Sequence, residues 1–238
     1  MSSSTSSTAA AQYAGRRQSP LQVIQHHLHA RPWLSPLAIL VLTYVVFGLL
    51  DKRIVASSAV STNLQQTAVI ACLAIGQTLI ILTAGIDLAV GATTVLAMMI
   101  MASLTAYKGW PAIPSILVGL LLAVAAGYLN GFLVTKINLP PFIVTLGTLS
   151  IFTAIALLYS GGRSIIASEM PDTLNFMGET FGPKGFRITV GLVVVVLLYV
   201  IVHFALSQTA WGRHVYAVGD DPESARLSGV ASKRVLLS

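Results

Sequence analysis

The segment TAGIDLAVGAT, residues 83–93, holds one carboxylate, Asp87, inside forty residues (67–106) that otherwise read as membrane. An acid in that setting either caps a helix at a turn or serves as a polar element of a transport path. The other reactive groups exclude most enzyme chemistry. No G-x-x-x-x-G-K-[ST] loop is present, since GPKG at 182–185 lacks both the length and the following Ser or Thr, so the chain is not expected to hydrolyse ATP itself. There is no H-E-x-x-H and no G-x-S-x-G elbow, and HHLH at 26–29 has no acid or cysteine beside it. No catalytic set, metal site or cofactor of its own is expected.

Neutral polar residues on apolar stretches are the other candidates. Gln77, Thr78, Asn130, Thr145 and Thr148 join Asp87 as a set that suits a hydroxylated solute, which needs neutral donors and acceptors rather than charges. Each can equally bond a neighbouring helix. Gly119, Ala123, Gly127 and Gly131 recur every four residues and predict a strip where helix backbones approach closely. Asn130 beside that strip is expected to bond across helices.

These residues must be positioned by membrane-spanning elements. Of 238 residues, 55% are hydrophobic and 9% charged, and the mean hydropathy is +0.81, outside the range of soluble domains. The net charge of +6 comes from basic residues scattered singly between apolar runs, so no face concentrates them on phosphates and nucleic acid is excluded as a partner. The single cysteine, Cys72, permits no disulfide within the chain and is expected to pack. Apolar stretches long enough to cross lie at 34–50, 67–84, 88–106, 113–134, 142–159 and 188–206. Residues 235–238 open another apolar run behind Lys233 and Arg234, so the chain is expected to be truncated.

The expected fold is thus an all-α integral membrane protein, a polytopic bundle of about six transmembrane helices plus the start of a seventh. Residues 1–32, rich in Ser, Thr and Ala, are expected to form a disordered cytoplasmic tail, with residues 33–238 as the membrane domain. Eight basic residues in the loops of one side against six in the other favour a cytoplasmic N-terminus. In the long outer loop, residues 160–187, Met170, Leu174 and Met177 have the spacing of a short surface helix.

The forty residues around Asp87 make about 60 Å of helix, two crossings of a roughly 30 Å core, with Asp87 at the join. At mid-span the acid would cost roughly 2.5–3.5 kcal/mol. A turn avoids most of this: Gly85 is expected to break the first helix, and Asp87 to accept from free N–H groups at the start of the next.

The stretch 207–234 reads as a polar loop containing a short helix. Asp221 caps, Pro222 suits the first turn, Glu223 favours the positive end, and Gly229 supplies the left-handed stop, which gives a helix over Pro222–Ser228. Ala225 and Leu227 are its expected contact surface. So short a helix needs a partner surface to hold it.

Three segments, GQTLIILTAGIDLAVGA (76–92), INLPPFIVTLGTL (137–149) and GRHVYAVGDDPESARLSGV (212–230), resemble the permease subunits of bacterial ATP-binding-cassette importers for monosaccharides. The resemblance covers nearly everything from about 35 to 238; Ala89 stands where that family usually has Ser. It implies an inner-membrane protein with a cytoplasmic ATPase partner that binds the ATP, a periplasmic sugar-binding protein and a second permease copy. It also implies that the short helix couples to the ATPase, through Gly219, Asp221, Pro222, Glu223, Ala225, Arg226, Leu227 and Gly229. Arg163, Lys184 and Arg187 are candidates for docking the binding protein. The competing function is an ion-coupled secondary transporter, for which the spans supply few ionisable groups. An intramembrane enzyme lacks any paired nucleophile and base.

Overall fold

A computed structural model describes residue 31 and residues 33–237. The expected tail, Arg31 apart, lies outside the described residues. All the long elements are helices: α1 Leu34–Leu50, α2 Ser57–Leu82, α3 Val90–Ala106, α4 Ala112–Thr135, α5 Pro141–Ser160, α6 Asp172–Asn175, α7 Val190–Gln208, α8 Ala210–Asp220, α9 Pro222–Leu227 and α10 Ser232–Val235. By length and composition, α2, α4, α5 and α7 are long and apolar enough to cross a membrane; α1 and α3 are apolar helices of 17 residues. This is the helical, polytopic architecture expected, and five of the six spans lie within two residues of their predicted bounds. The exception is α2, which starts ten residues early because the stretch 57–66 is polar yet helical.

The described residues divide into two compact units, one ending at Val60 and the other starting at Ser61. Within the first, α1 has no buried residue, and Gly48 lets Val55 fold back against it: a Cβ there would stand 2.6 Å from Val55 Cγ1.

In the second unit α3 is central, packed against α4 and α5. Ala92, Leu96, Ala126, Phe152 and Ala156 form the buried core, flanked by Ile100, Leu122 and Leu149. Small residues dominate because apolar lipid gives helices no hydrophobic reason to associate, so contact depends on close approach. Gly119 does what the strip predicts, since a Cβ there would meet the Ala97 carbonyl at 3.2 Å and Met101 Cβ at 3.1 Å. Ala123 is half-buried on the same helix. Large apolar side chains face outward instead, Leu121 at 68% and Leu158 at 82% exposure. Cys72 corrects its expectation: it is exposed rather than packed, on a face of α2 that the chain leaves open.

The loop after α5, residues 160–187, holds more structure than expected. The predicted surface helix is split at Pro171 into a 3₁₀ turn Ala167–Glu169, α6, and a second 3₁₀ turn Phe176–Gly178. A two-stranded antiparallel hairpin follows, β1 Thr180–Phe181 with β2 Ile188–Thr189. Thr189 then caps α7, its hydroxyl accepting from Leu192 N–H at 3.2 Å.

The stretch expected as a polar loop around one short helix begins instead with an eleven-residue amphipathic helix, α8, capped by Thr209 and burying Gly212, Val215 and Val218. Those apolar positions recur at helical spacing, which outweighs the polar composition.

Candidate functional site

The break between α2 and α3 shapes the site. Helix α2 ends in a Schellman-type turn, with Gly85 N–H donating to the Ile80 carbonyl and Ala84 N–H to the Ile81 carbonyl, each at 2.9 Å. The left-handed residue is Ala84, at φ 57, and not Gly85. Gly85 is needed for a different reason: a Cβ there would press 2.9 Å from Ile80 Cγ2 and 3.1 Å from the Ile80 carbonyl oxygen.

Asp87 follows at the turn, as predicted, but its bond differs in detail. Its Oδ1 accepts from Ala89 N–H at 2.7 Å, and Ala89 is the residue at the helix cap, so the carboxylate closes an Asx turn before α3 rather than bonding deeper N–H groups. Ala89 itself is fully buried and provides no side-chain cap. Two neighbouring helices hold the turn by its carbonyls. Gln77 Nε2 donates to Asp87 O at 3.2 Å, and the Thr145 hydroxyl lies 3.2 Å from Ile86 O.

Between the turn, α4 and α5 lies a cavity of about 240 Å³, lined by Asp87, Asn130, Thr145, Thr83, Thr135 and the backbone side of Gly127 and Gly131, with Leu236 at its edge. A water's share of liquid volume is about 30 Å³, so the space suits a small solute rather than a lone ion. Three of the six expected path residues, Asp87, Asn130 and Thr145, meet here. Gln77 touches the turn from behind. Thr148 is buried one helical turn from Thr145, its hydroxyl within reach of the Val144 and Thr145 carbonyls, and Thr78 is exposed and bonds Ala74 O in its own helix.

Asn130 corrects another expectation. It is 8% exposed, and its Oδ1 is buried without a hydrogen-bond partner, so it does not bond across helices among the described residues. An unpaired buried acceptor is costly, about 1–3 kcal/mol, and an amide kept in that state is available to a ligand. Gly127 lines the cavity, and a Cβ there would meet nothing within 4 Å among the described residues. A Cβ on Gly131 would stand 3.1 Å from Leu237 Cδ2, so this glycine leaves room for that side chain.

The lining is rich in acceptors. The Thr83 and Thr135 hydroxyls spend their protons on carbonyls of their own helices, and Thr145 has only carbonyls within reach of its proton, which leaves lone pairs for a solute. Asp87 and Asn130 add carboxylate and amide oxygens, and among the described residues no Lys, Arg or His lines the space. Such a surface favours a solute with several O–H donors and repels anions.

The segment after α8 matches its prediction more closely. Helix α9 spans Pro222–Leu227, with Asp221 Oδ1 accepting from Glu223 N–H at 2.9 Å and Ser224 N–H at 3.2 Å. Gly229 takes φ 87 behind it. The Ser224 hydroxyl, then the Ser224 and Glu223 N–H groups, hold the Asp221 carboxyl below its ordinary range. Arg226, hydrogen-bonded to Glu223 at 2.6 Å and attracting it, lowers the Glu223 carboxyl; Arg226 is itself raised by the same bond and charge. Ala225 is buried within the chain and so offers no contact surface, whereas Leu227 is 76% exposed. The helix is held by its own chain.

Of the docking candidates, Arg187 donates from its guanidinium to Thr180 O at 2.8 Å and so braces the hairpin. Lys184 is exposed at the hairpin tip, and Arg163 lies at the end of α5. Sequence reasoning missed Thr83 and Thr135, whose only signal was a hydroxyl near a helix end, and Ser61, which bonds the backbone of Arg187.

Comparison with known proteins adds ancestry to this geometry. Residues 59–238 match the family described as branched-chain amino acid transport system / permease component. Among curated relatives, the chain is 43% identical over 237 residues to the fructose import permease protein of Rhizobium meliloti, covering 98% of this chain and 66% of that one. It is 31% identical over 219 residues to the ribose import permease protein of Bacillus subtilis, covering 90% and 66%. It is 30% identical over 202 residues to the autoinducer 2 import system permease protein of Escherichia coli O9:H4, covering 85% and 57%. The chain therefore spans less than two thirds of the length of each of these relatives. No solved structure matches it.

Proposed function

Because this chain belongs to the family of branched-chain amino acid transport system permease components, a multi-pass protein of the inner membrane, we propose that it forms part of the path by which a monosaccharide is imported. The observation that carries the reading is the acceptor-rich cavity beside the broken α2–α3 connection, where Asn130 holds an unpartnered buried oxygen next to Asp87 and Thr145. Sugar hydroxyls supply donors to the acceptors that dominate this lining, and the Asn130 amide nitrogen can donate to them in return. Likeness to fructose and ribose import permeases supports the same solute class. The free energy comes from ATP hydrolysed in a separate cytoplasmic subunit, which docks on the segment around α9 through exposed Leu227 and the Glu223–Arg226 edge. A periplasmic sugar-binding protein delivers the solute, and two permease copies complete the path.

The test is co-purification of the full-length gene product with the ATPase encoded beside it, reconstitution, and ATP turnover measured against a panel of sugar-loaded binding proteins. Stimulated turnover with sugar uptake is the expected result. Uptake that follows an imposed proton or sodium gradient without the ATPase would replace this reading with the ion-coupled one. Asp87→Asn, which retains an acceptor for Ala89 N–H while removing the charge, is expected to fold normally and import more slowly; full import would leave Asp87 a turn residue only.

A further inference from the structure

The end of α2 and the C-terminal half of α8 touch through bare backbone. A Cβ placed on Gly219 would stand 1.8 Å from the Leu82 carbonyl oxygen and 2.9 Å from its carbonyl carbon, distances that no side chain tolerates, with Thr83 Cα in ordinary contact at 3.5 Å. Gly219 is therefore the one residue type that allows α8 to rest on the last turn of α2. At its other end α8 is fixed equally closely, since a Cβ on Gly212 would lie 2.1 Å from the Leu206 carbonyl oxygen. Val215 and Val218, both almost fully buried, key the helix in place between these contacts.

What lies on each side of Gly219 gives the contact its meaning. Two residues after it, Asp221 caps α9, the short helix that carries exposed Leu227. On the other side, Leu82 is followed directly by Thr83, Ala84, Gly85, Ile86 and Asp87, all of which line the cavity. Rigid helix, close backbone contact and cavity wall thus form one continuous chain of packed groups, with no flexible side chain in between to absorb a shift. Resting on the reading that α9 meets an ATPase, we infer that Gly219 is a positioning residue: through its contact with Leu82, movement of α8 and α9 resets the turn bearing Asp87, and so opens or closes the cavity.

The experiment uses the full-length permease carrying Cys72→Ser and Leu88→Cys, because Leu88 is 38% exposed, directly follows Asp87 and lies outside the cavity lining. Maleimide alkylation of that cysteine is timed in the purified permease with Gly219 and with Gly219→Ala. Displacement of the turn is expected to change the rate by about fivefold or more, the lower end of ordinary allosteric coupling. Equal rates in two folded proteins would overturn the inference without bearing on what is transported. A second arm times alkylation in the reconstituted complex, Gly219 intact, with and without ATP plus vanadate. A similar change is expected, and an unchanged rate in a complex that imports sugar would overturn the inference even if Gly219→Ala fails to fold. A complex that neither hydrolyses ATP nor imports would refute the proposed function instead, leaving the first arm to decide on Gly219.

Discussion

Ser61 and Arg187 are bonded to each other twice across 126 residues: the Ser61 hydroxyl donates to the Arg187 carbonyl, and Arg187 N–H donates back to Ser61 Oγ at 3.1 Å. Gln65 Nε2 reaches the same carbonyl at 3.3 Å. The hairpin before α7 is thereby tied to the first turns of α2. Ser61→Ala is expected to cost about 1 kcal/mol, the net worth of a typical hydrogen bond, and to accelerate amide exchange at Arg187. Exchange at Arg187 as slow as in the parent would show that the hairpin holds itself.

Ala84 carries a left-handed backbone that glycine adopts freely and alanine does not. Ala84→Gly is expected to stabilise the protein by about 1 kcal/mol, seen as a higher unfolding temperature in detergent. Gly85→Ala should lower it, because the new methyl meets Ile80.

Asn130 sets stability against activity. Replacement by Leu, close in size and with nothing to hydrogen-bond, removes the buried unpaired oxygen, so the unfolding temperature is expected to rise. Sugar uptake by the full-length protein is expected to fall in the same variant. Uptake unchanged in Asn130→Leu would detach this residue from the path.

The cap on α9 depends on pH. The Asp221 carboxyl, held below its ordinary value of 3.8 by Ser224 and Glu223, contributes stability that is complete above that value and is lost as pH falls through the lower folded one. Amide protection at Glu223 and Ser224 should therefore decline in acid. Asp221→Asn, which cannot titrate, should flatten that decline; an equal decline in the variant would assign it to other groups.

Much of this was legible beforehand, for physical reasons that differ by residue. Helix α1 was readable to its last residue because an apolar run fills it end to end, and α9 because Asp221, Pro222 and Gly229 each act within a turn of their own position. The start of α2 was not, since the stretch 57–66 lacks the apolar signal and is held by contacts such as Ser61 with Arg187, distant in sequence. Ala84 was overlooked beside Gly85 because local preference favours glycine for a left-handed turn, while here a neighbouring side chain decides which residue must lack a Cβ. The convergence of Asp87, Asn130 and Thr145 depends on how three helices pack, which no spacing within one of them encodes.

Cys72 is the sole thiol in the chain and sits exposed about midway along α2. Any covalent tether that oxidation forms between two copies of this sequence must therefore join position 72 to position 72, a head-to-head linkage with a two-fold axis through the sulfur–sulfur bond. A gel band at twice the monomer mass that disappears with reductant would show that two copies bring this position of α2 within a disulfide's reach, without any engineered residue.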